Sequence, residues 1–295
     1  MLQVQLIMNY SDSVCQALKQ ARVFSDSEGA KVTSIDISAD ASQIVTSSED
    51  AALRLYDAQE TGTIIKTLYA KKYGVSHVRF CHAPGTVVCA SRNEWDNSLR
   101  YWSLYDNRYL RYFKGHRAEV VGLSVSPKDD YILSASADGT CRLWDVRSDA
   151  CAGFLRLPNN EVRPLIAFDD TGIVFAVAAP SCNGRGTTIK LFSAADHDLG
   201  PFATNLIPNE NASYATSIKF SSDGKFLLLS GGSNACFLID SLNECRVVCE
   251  YRLRPSASGE IITDAAITPD LTYVIAGTSG TNDSGGSIHI WRSGQ

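Results

Sequence analysis

The sequence predicts an all-β fold, a β-propeller of six four-stranded blades, and three observations carry that prediction. One unit recurs six times along the 295 residues, which is the mark of a repeat architecture. Inside each unit, short apolar runs alternate with period two and stop at Gly, Pro, Asp or Asn, as strands joined by tight turns do. Apart from Asp12 to Gln20, no stretch of useful length reads as a helix. Four-stranded sheets repeated radially make a propeller.

The first unit runs from Val32 as VTSIDIS, the turn ADAS, QIVTSSED and AALRLYD. The second starts at Val75 with VSHVRFC, then HAPG, TVVCAS, RNEWDN and SLRYWS. The third, from Gly115, is the clearest: GHRAE, VVGLSVS, the turn PKDD, YILSAS, the turn ADGT and CRLWD. The fourth runs RPLIAFD, DTG, IVFAVA and TTIKLF from Arg163, and the fifth runs ATSIKFS, SDGK, FLLLSGG, SNA and CFLID from Ala215. The sixth reads ITDAAIT, PDLT, YVIAGT and SIHIW from Ile262.

A fourth strand follows each of the first five units, at Thr63 to Leu68, Arg108 to Phe113, Cys151 to Leu157, Pro201 to Leu206 and Cys245 to Leu253. After Trp291 only Arg292 to Gln295 remain, while a spare strand-like segment, Ala21 to Ser25, precedes the first unit. One N-terminal strand completing the last blade would close the ring and hide a sheet edge. The expected organisation is an arm at 1–17 and one propeller domain at 18–295. Two enlarged turns, Pro180 to Gly186 and Gly280 to Gly286, are rich in Gly, Asn and Ser.

Composition narrows the function. A net charge of -5 argues against general binding to nucleic acid or acidic membranes, because phosphate backbones demand a broad excess of Lys and Arg. The apolar opening MLQVQLIMNY lacks the charged start of a secretory signal, and no run approaches a membrane span. The nine cysteines form no CxxC pair and sit mostly in apolar strand-like runs, as small buried hydrophobes of a reducing compartment. His77, His82, His116, His197 and His289 show no metal-ligand spacing, and there is no nucleophile elbow or phosphate loop. The paired carboxylates Asp129-Asp130 and Asp169-Asp170 fall in tight turns, where Asp serves turn hydrogen bonds. No enzyme, cofactor or metal is expected.

Gly115-His116, Ser134, Ser136, Asp138 and Trp144-Asp145 together resemble the WD-repeat signature, complete in this unit and decayed elsewhere to Tyr56-Asp57, Ile239-Asp240 and Trp291. The resemblance implies a buried relay of His116, Ser134, Asp138 and Trp144 in which each polar group satisfies another. LYAKKYGVSHVRF, SLYDNRYLRYFKGH, SPKDDYILSASADGTCRLWDVR, FDDTGIVFA, the GPFAT at Gly200 to Thr204 and FSSDGKFLLLS are similar to the WD repeat-containing protein 82 family, over about Val14 to Gly294. That family comprises propeller subunits of Set-type histone methyltransferase complexes and of nuclear complexes coupling transcription termination to protein phosphatase 1. The resemblance implies a nuclear, non-catalytic scaffold. Its implied partners are a methyltransferase scaffold, a phosphatase-targeting subunit and the phosphorylated tail of RNA polymerase II. A WD-repeat substrate receptor or trafficking adaptor in the cytoplasm is the alternative. The family's proteins continue into a seventh blade, so a seven-bladed ring lacking its final blade stands beside the six-bladed reading.

Charge is unevenly spread. From Lys71 to Arg117 nine basic residues face Glu94, Asp96 and Asp106, a local +6 in a chain of -5. A solvated face with Arg stems covering apolar surface is one reading. The other is a partner site, since Arg forks grip carboxylate and phosphate and Tyr adds flat amphipathic contact. Its candidates are Arg100, Arg108, Tyr109, Lys114 and Arg117. Alternation puts Tyr109, Arg111 and Phe113 on one side of their strand and Leu110 and Tyr112 on the other, both sides packing between blades. The strand-end cations Arg108, Lys114 and Arg117 are therefore better placed for a ligand than Arg111.

Overall fold

The alternating runs fold into strands, and Asp, Ser and Gly hold the turns between them. At Ser221–Phe226 the Asp223 carboxylate accepts from the Ser221 hydroxyl (2.6 Å) and the Lys225 backbone N–H (3.1 Å), while Gly224 takes φ 69°. The same device recurs at Thr268, Asp270 and Thr272, with Leu271 in the left-handed region.

A computed structural model describes residues 11–18, 24, 29–59, 62–93, 95–157, 163–181, 186–208, 215–231, 234–253, 261–279 and 286–293. It is a six-bladed β-propeller. Blade 1 is β1 (Val32–Ile37), β2 (Gln43–Ser48), β3 (Ala52–Asp57) and β4 (Ile64–Tyr69). Blade 2 is β5 (Val78–Phe80), β6 (Thr86–Ala90), β7 (Leu99–Ser103) and β8 (Arg108–Phe113). Blade 3 is β9 (Val120–Val125), β10 (Tyr131–Ser136), β11 (Thr140–Asp145) and β12 (Cys151–Arg156). Blade 4 is β13 (Leu165–Phe168), β14 (Val174–Pro180), β15 (Gly186–Ser193) and β16 (Ala203–Pro208). Blade 5 is β17 (Ala215–Phe220), β18 (Phe226–Gly231), β19 (Ala235–Asp240) and β20 (Arg246–Arg252). Blade 6 has three described strands, β21 (Ile261–Ile267), β22 (Tyr273–Ser279) and β23 (Ile288–Arg292). Every sheet is an antiparallel meander in chain order. The first strand of each blade lies against the first strand of the next, β1 on β5 through to β17 on β21.

Apolar residues on facing sheets make the cores. Val45, Leu53 and Leu55 of blade 1 meet Val78, Val87 and Trp102 of blade 2. Val88, Leu99 and Phe113 meet Leu123, Ile132 and Trp144 of blade 3, and Leu133, Cys141 and Leu143 meet Ile166 and Phe175 of blade 4. Ala176, Ile189 and Leu191 then meet Ile218 and Leu227 of blade 5, whose Leu228, Cys236 and Leu238 meet Ile262, Ala265 and Val274 of blade 6. Each fully buried Val, Leu or Ile side chain contributes about 1.5–3 kcal/mol, so successive blades are tied face to face.

The N-terminal strand expected at Ala21 to Ser25 lies, except for Phe24, outside the described residues, as do the greater parts of the two enlarged turns (182–185 and 280–285) and residues 1–10. The expected helix is α1 (Asp12–Ala17), capped by the Ser11 hydroxyl. Its Asp12 carboxylate accepts from the Tyr273 hydroxyl of β22 and lies 3.9 Å from Arg292 of β23, fastening this part of the expected 1–17 arm to blade 6.

Candidate functional site

The ring has two rims. One carries the links between blades and the β2–β3, β6–β7 and β10–β11 turns; the other carries the β1–β2, β3–β4, β5–β6 and β7–β8 turns. This division splits the sequence-derived basic site. In β8, Arg108 pairs with Ser103 at the β7–β8 turn while Phe113 pairs with Leu99 at the opposite end. Six residues at about 3.3 Å each span roughly 20 Å. Arg108 therefore sits on one rim, and Lys114 and Arg117 on the other.

Arg100 is not at the surface at all. Its side chain is 1% exposed, donates to Ser91 Oγ and the Asp96 carboxylate, and lies 3.6 Å over the Tyr73 ring, with Tyr109 and Tyr112 within 6 Å. Ser91, Asp96 and Arg100 come from the β6–β7 turn and its flank, so the guanidinium folds back onto that turn through its two terminal nitrogens, while its buried Nε has no hydrogen-bond partner among the described residues. Arg54 repeats the arrangement in blade 1 with Ser48 and Asp50. Tyr109 is half-buried against Trp102 (ring centroids 5.1 Å), and burial pushes its hydroxyl up to about 12. Its exposed neighbours are Leu110 and Tyr112, which corrects the expectation that both sides of β8 pack between blades: β8 is the outermost strand, and one of its sides meets solvent.

Other basic and aromatic residues share the interblade rim. Lys71, Lys72 and Tyr73 occupy the β4–β5 link, Arg92 and Trp95 the β6–β7 turn, and Lys114 and Arg117 the β8–β9 link. Gly74, at φ 66°, lets the link pack on Arg92, whose Cβ stands 2.9 Å from where a Gly74 side chain would begin. Asn93 Nδ2 donates to Lys72 O (2.6 Å), fastening link to turn. Trp95 is 64% exposed and tilts against Tyr73 at 5.5 Å between centroids. Lys72 lies 5.0 Å over Tyr73 and Lys71 5.5 Å over the exposed Tyr69. Arg92 is held by Glu49 at 2.7 Å, which lowers the Glu49 carboxyl's pKa. Among the described residues, Lys71, Lys72, Lys114 and Arg117 make no ion pair. Cations beside exposed indole and phenol rings are groups that can pair with carboxylate or phosphate oxygens. Sequence reading counted Lys71 and Lys72 but missed Tyr73 and Trp95; the signal was the aromatic in each loop next to the basic residues.

His116, Ser134, Asp138 and Trp144 meet beside this rim. Trp144 Nε1 donates to Ser134 Oγ (2.9 Å), which lies 2.7 Å from His116 Nε2. On the far side of the ring, His116 Nδ1 faces the Asp138 carboxylate at 3.5 Å and Thr140 Oγ1 at 3.2 Å. With the indole able only to donate, full satisfaction runs Trp144 N–H to Ser134, Ser134 O–H to Nε2, and Nδ1–H to Asp138. Burial holds the imidazole neutral, its pKa pushed down to about 4 against the pull of Asp138. Burial would push Asp138 up, but the Arg117 backbone N–H (2.8 Å), Thr140 and His116 hold its carboxyl below the usual range. The relay thus fixes the backbone of Arg117, one of the rim cations.

The described residues contain no group of His, Cys, Asp and Glu able to hold a metal ion and no helix long and apolar enough to cross a membrane. Burial pushes the Cys89 and Cys141 thiols up to about 12, which leaves them poor nucleophiles.

Comparison with known proteins adds sequence evidence to this geometry. A model of the WD domain, G-beta repeat matches residues 18–57 and 107–145. The chain is 40% identical over 283 residues to Protein ANTHESIS POMOTING FACTOR 1 of Arabidopsis thaliana, covering 95% of this chain and 80% of that one. It is 36% identical to WD repeat-containing protein 82 of Drosophila melanogaster, covering 96% and 83%. It is 38% identical over 215 residues to the Set1 complex component swd2 of Schizosaccharomyces pombe, covering 72% and 57%.

Proposed function

The chain belongs to the WD-repeat family of WD repeat-containing protein 82 and the Set1 complex component swd2, and from that membership we propose that it is a non-catalytic scaffold subunit of a Set1-type histone methyltransferase complex in the nucleus. Its interblade rim binds acidic or phosphorylated segments of partner proteins, a serine-phosphorylated RNA polymerase II tail and a phosphatase-targeting subunit of termination complexes among them. The observation that supports this reading is the rim itself: Lys71, Lys72, Lys114 and Arg117, without ion pairs among the described residues, around the exposed Trp95 and Tyr69. Phosphate adds charge and three acceptor oxygens, which ammonium and guanidinium groups on one rim match. Negative charge elsewhere on the chain favours approach of a segment by this face alone.

Fluorescence anisotropy with a labelled, doubly serine-phosphorylated heptad-repeat peptide tests the rim. Replacing Lys114 and Arg117 with Glu is expected to weaken binding at least about tenfold, one charge-assisted hydrogen bond's worth, with Tm unchanged. Arg108→Glu, on the opposite rim, is expected to bind as the parent does. Equal affinity of parent and the Lys114/Arg117 variant overturns the site. Purification from nuclear extract tests the membership separately, since recovery of cytosolic partners alone would overturn it whatever the peptide does.

A further inference from the structure

Arg54, Arg100 and Arg142 hold the same place on the third strands of blades 1, 2 and 3, paired across the sheet with Thr46, Cys89 and Ser134. In blades 1 and 2 the guanidinium folds back on the turn before it. Arg54 donates to Ser48 Oγ (2.6 Å) and pairs with Asp50, and Arg100 donates to Ser91 Oγ and pairs with Asp96. Blade 3 has the same serine and aspartate, Ser136 and Asp138, yet Arg142 bonds to neither. Asp138 is already filled: one carboxylate oxygen accepts from the Thr140 N–H (2.9 Å) and hydroxyl (2.5 Å), the other from the Arg117 N–H (2.8 Å), with His116 Nδ1 at 3.5 Å. Ser136 donates to Ala118 O and accepts from the Asp138 N–H. The relay histidine thus takes the aspartate that its counterparts give to arginine, and Arg142 is left over. Its guanidinium lies 4.9 Å from the centroid of the Phe154 ring and 5.9 Å from that of Trp144. Nη1 stands 2.8 Å from where a side chain on Gly115 would begin, so the group is set against the link that carries Lys114 and Arg117. Among the described residues it makes no hydrogen bond and no ion pair; Nε is enclosed, and the two terminal nitrogens are not.

We propose that Arg142 is an oxyanion fork beside the interblade rim, receiving two oxygens of a phosphate or carboxylate on an extended segment of a partner protein. The inference rests on the acidic-segment reading and deepens it by naming the group that fixes the geometry. Covering the faces of a guanidinium costs hydration and here returns no hydrogen bond. An incoming oxyanion reverses that loss, because the planar fork matches it with two parallel N–H donors. Lys114 and Arg117 are exposed and can follow a ligand in many directions. Arg142 is held by Phe154, Trp144 and Gly115, so less freedom is lost when it binds. The competing role is a stem that only packs on the two rings. Methionine would fill that role without a charge, which separates the two accounts.

The test is fluorescence anisotropy on the purified chain with the phosphorylated heptad-repeat peptide, its counterpart with glutamate at each phosphoserine, and the unmodified sequence. Arg142→Lys keeps the charge and loses the fork. It is expected to weaken the phosphopeptide about tenfold, one charge-assisted hydrogen bond's worth, with Tm unchanged because Arg142 has no bond to lose in the free chain. Arg142→Met should bind no better than Arg142→Lys. Gly115→Ala should also weaken binding, by pushing the guanidinium aside with its charge intact. A larger loss with phosphoserine than with glutamate assigns the fork to phosphate and an equal loss assigns it to carboxylate; either supports the proposal. As a second readout, phenylglyoxal modification mapped by mass spectrometry should reach Arg142 faster than Arg54 and Arg100, and the phosphopeptide should slow it. Should Arg142→Lys lower Tm, that protection of the parent decides. Parent-like binding by Arg142→Lys, while the Lys114/Arg117 variant loses the peptide, overturns the fork and leaves the acidic-segment reading standing. A parent that binds none of the peptides, or binds the unmodified one equally well, overturns that reading and the fork with it. Equal reactivity of the three arginines would show that Arg142 is not open, and overturns the fork alone.

Discussion

A single histidine shows how the fold spends its polar residues. His116 is neutral because burial holds its pKa near 4, while an unfolded chain keeps the ordinary value near 6.5. As pH falls below 6.5 the unfolded state takes up a proton that the folded state refuses, so stability is complete above 6.5 and declines toward pH 4, by up to about 3 kcal/mol for this group. His77, also pushed down to about 4 by burial and the nearby Arg79 and Arg163, adds a loss of the same sign. Urea midpoints should therefore drop between pH 7 and pH 5, and His116→Gln should flatten that slope; an unchanged slope would remove His116 from the account. Trp144→Ala is expected to cost about 3–5 kcal/mol through the cavity it leaves, and Ser134→Ala about 1–3 kcal/mol through two stranded partners. The four relay residues were legible because their spacing is that of a repeat signature. Arg100 was misread, since linear charge counting cannot see that Ser91 and Asp96 fold back onto it. Arg100→Ala should lower stability by about 3 kcal/mol, as loss of one partner of a buried pair does, with the change visible in urea denaturation. Arg100→Lys should recover little of this, because an ammonium cannot fork to Ser91 and Asp96 while lying flat on Tyr73.

Elements were easier to read than their surroundings. Period two and Asp-Gly turns located the strands of all six units to within a few residues, and the first three strands of blade 3 coincide with YILSAS and CRLWD and the run before them. Which end of a strand meets which rim was not legible, because it depends on the meander of the whole blade, and this is why Arg108 and Arg117 looked like one site. The contact between blades 3 and 4 shows a further constraint that sequence hides. Gly153 in β12 lies under His197 of the 3₁₀ turn His197–Leu199, and a side chain there would begin 2.3 Å from His197 Nε2. Gly153→Val must push that turn away, so a loss of about 1–3 kcal/mol is expected from overpacking, whereas Gly153→Val together with His197→Ala should recover part of it. Thermal melts of the single and double variants measure this coupling, and strictly additive losses would show that the two residues do not share the space.

At the scale of the molecule, the described residues form five buried cores between the six sheets, from blades 1 and 2 through to blades 5 and 6. Blades 2 to 5 carry a core on both faces; among the described residues blades 1 and 6 carry one each, and on their other faces Tyr56 and Tyr273 are buried while Ile35, Ile37 and Ile288 are exposed. Local opening free energy follows buried apolar contact, and each core residue of this size carries about 1.5–3 kcal/mol, so the terminal blades should open before the middle ones. In hydrogen exchange of the free chain, amides of β10 and β14 are expected to be the slowest. Those of β2 and β22, which hold the same second-strand place in their sheets, should exchange at least about tenfold faster, the ratio that 1.4 kcal/mol produces. The comparison is internal to one sample, and it separates two pictures of the ring. If all second strands exchange alike, the blades unfold as one cooperative unit. If β2 and β22 lead, stability decays outward from blades 3 and 4.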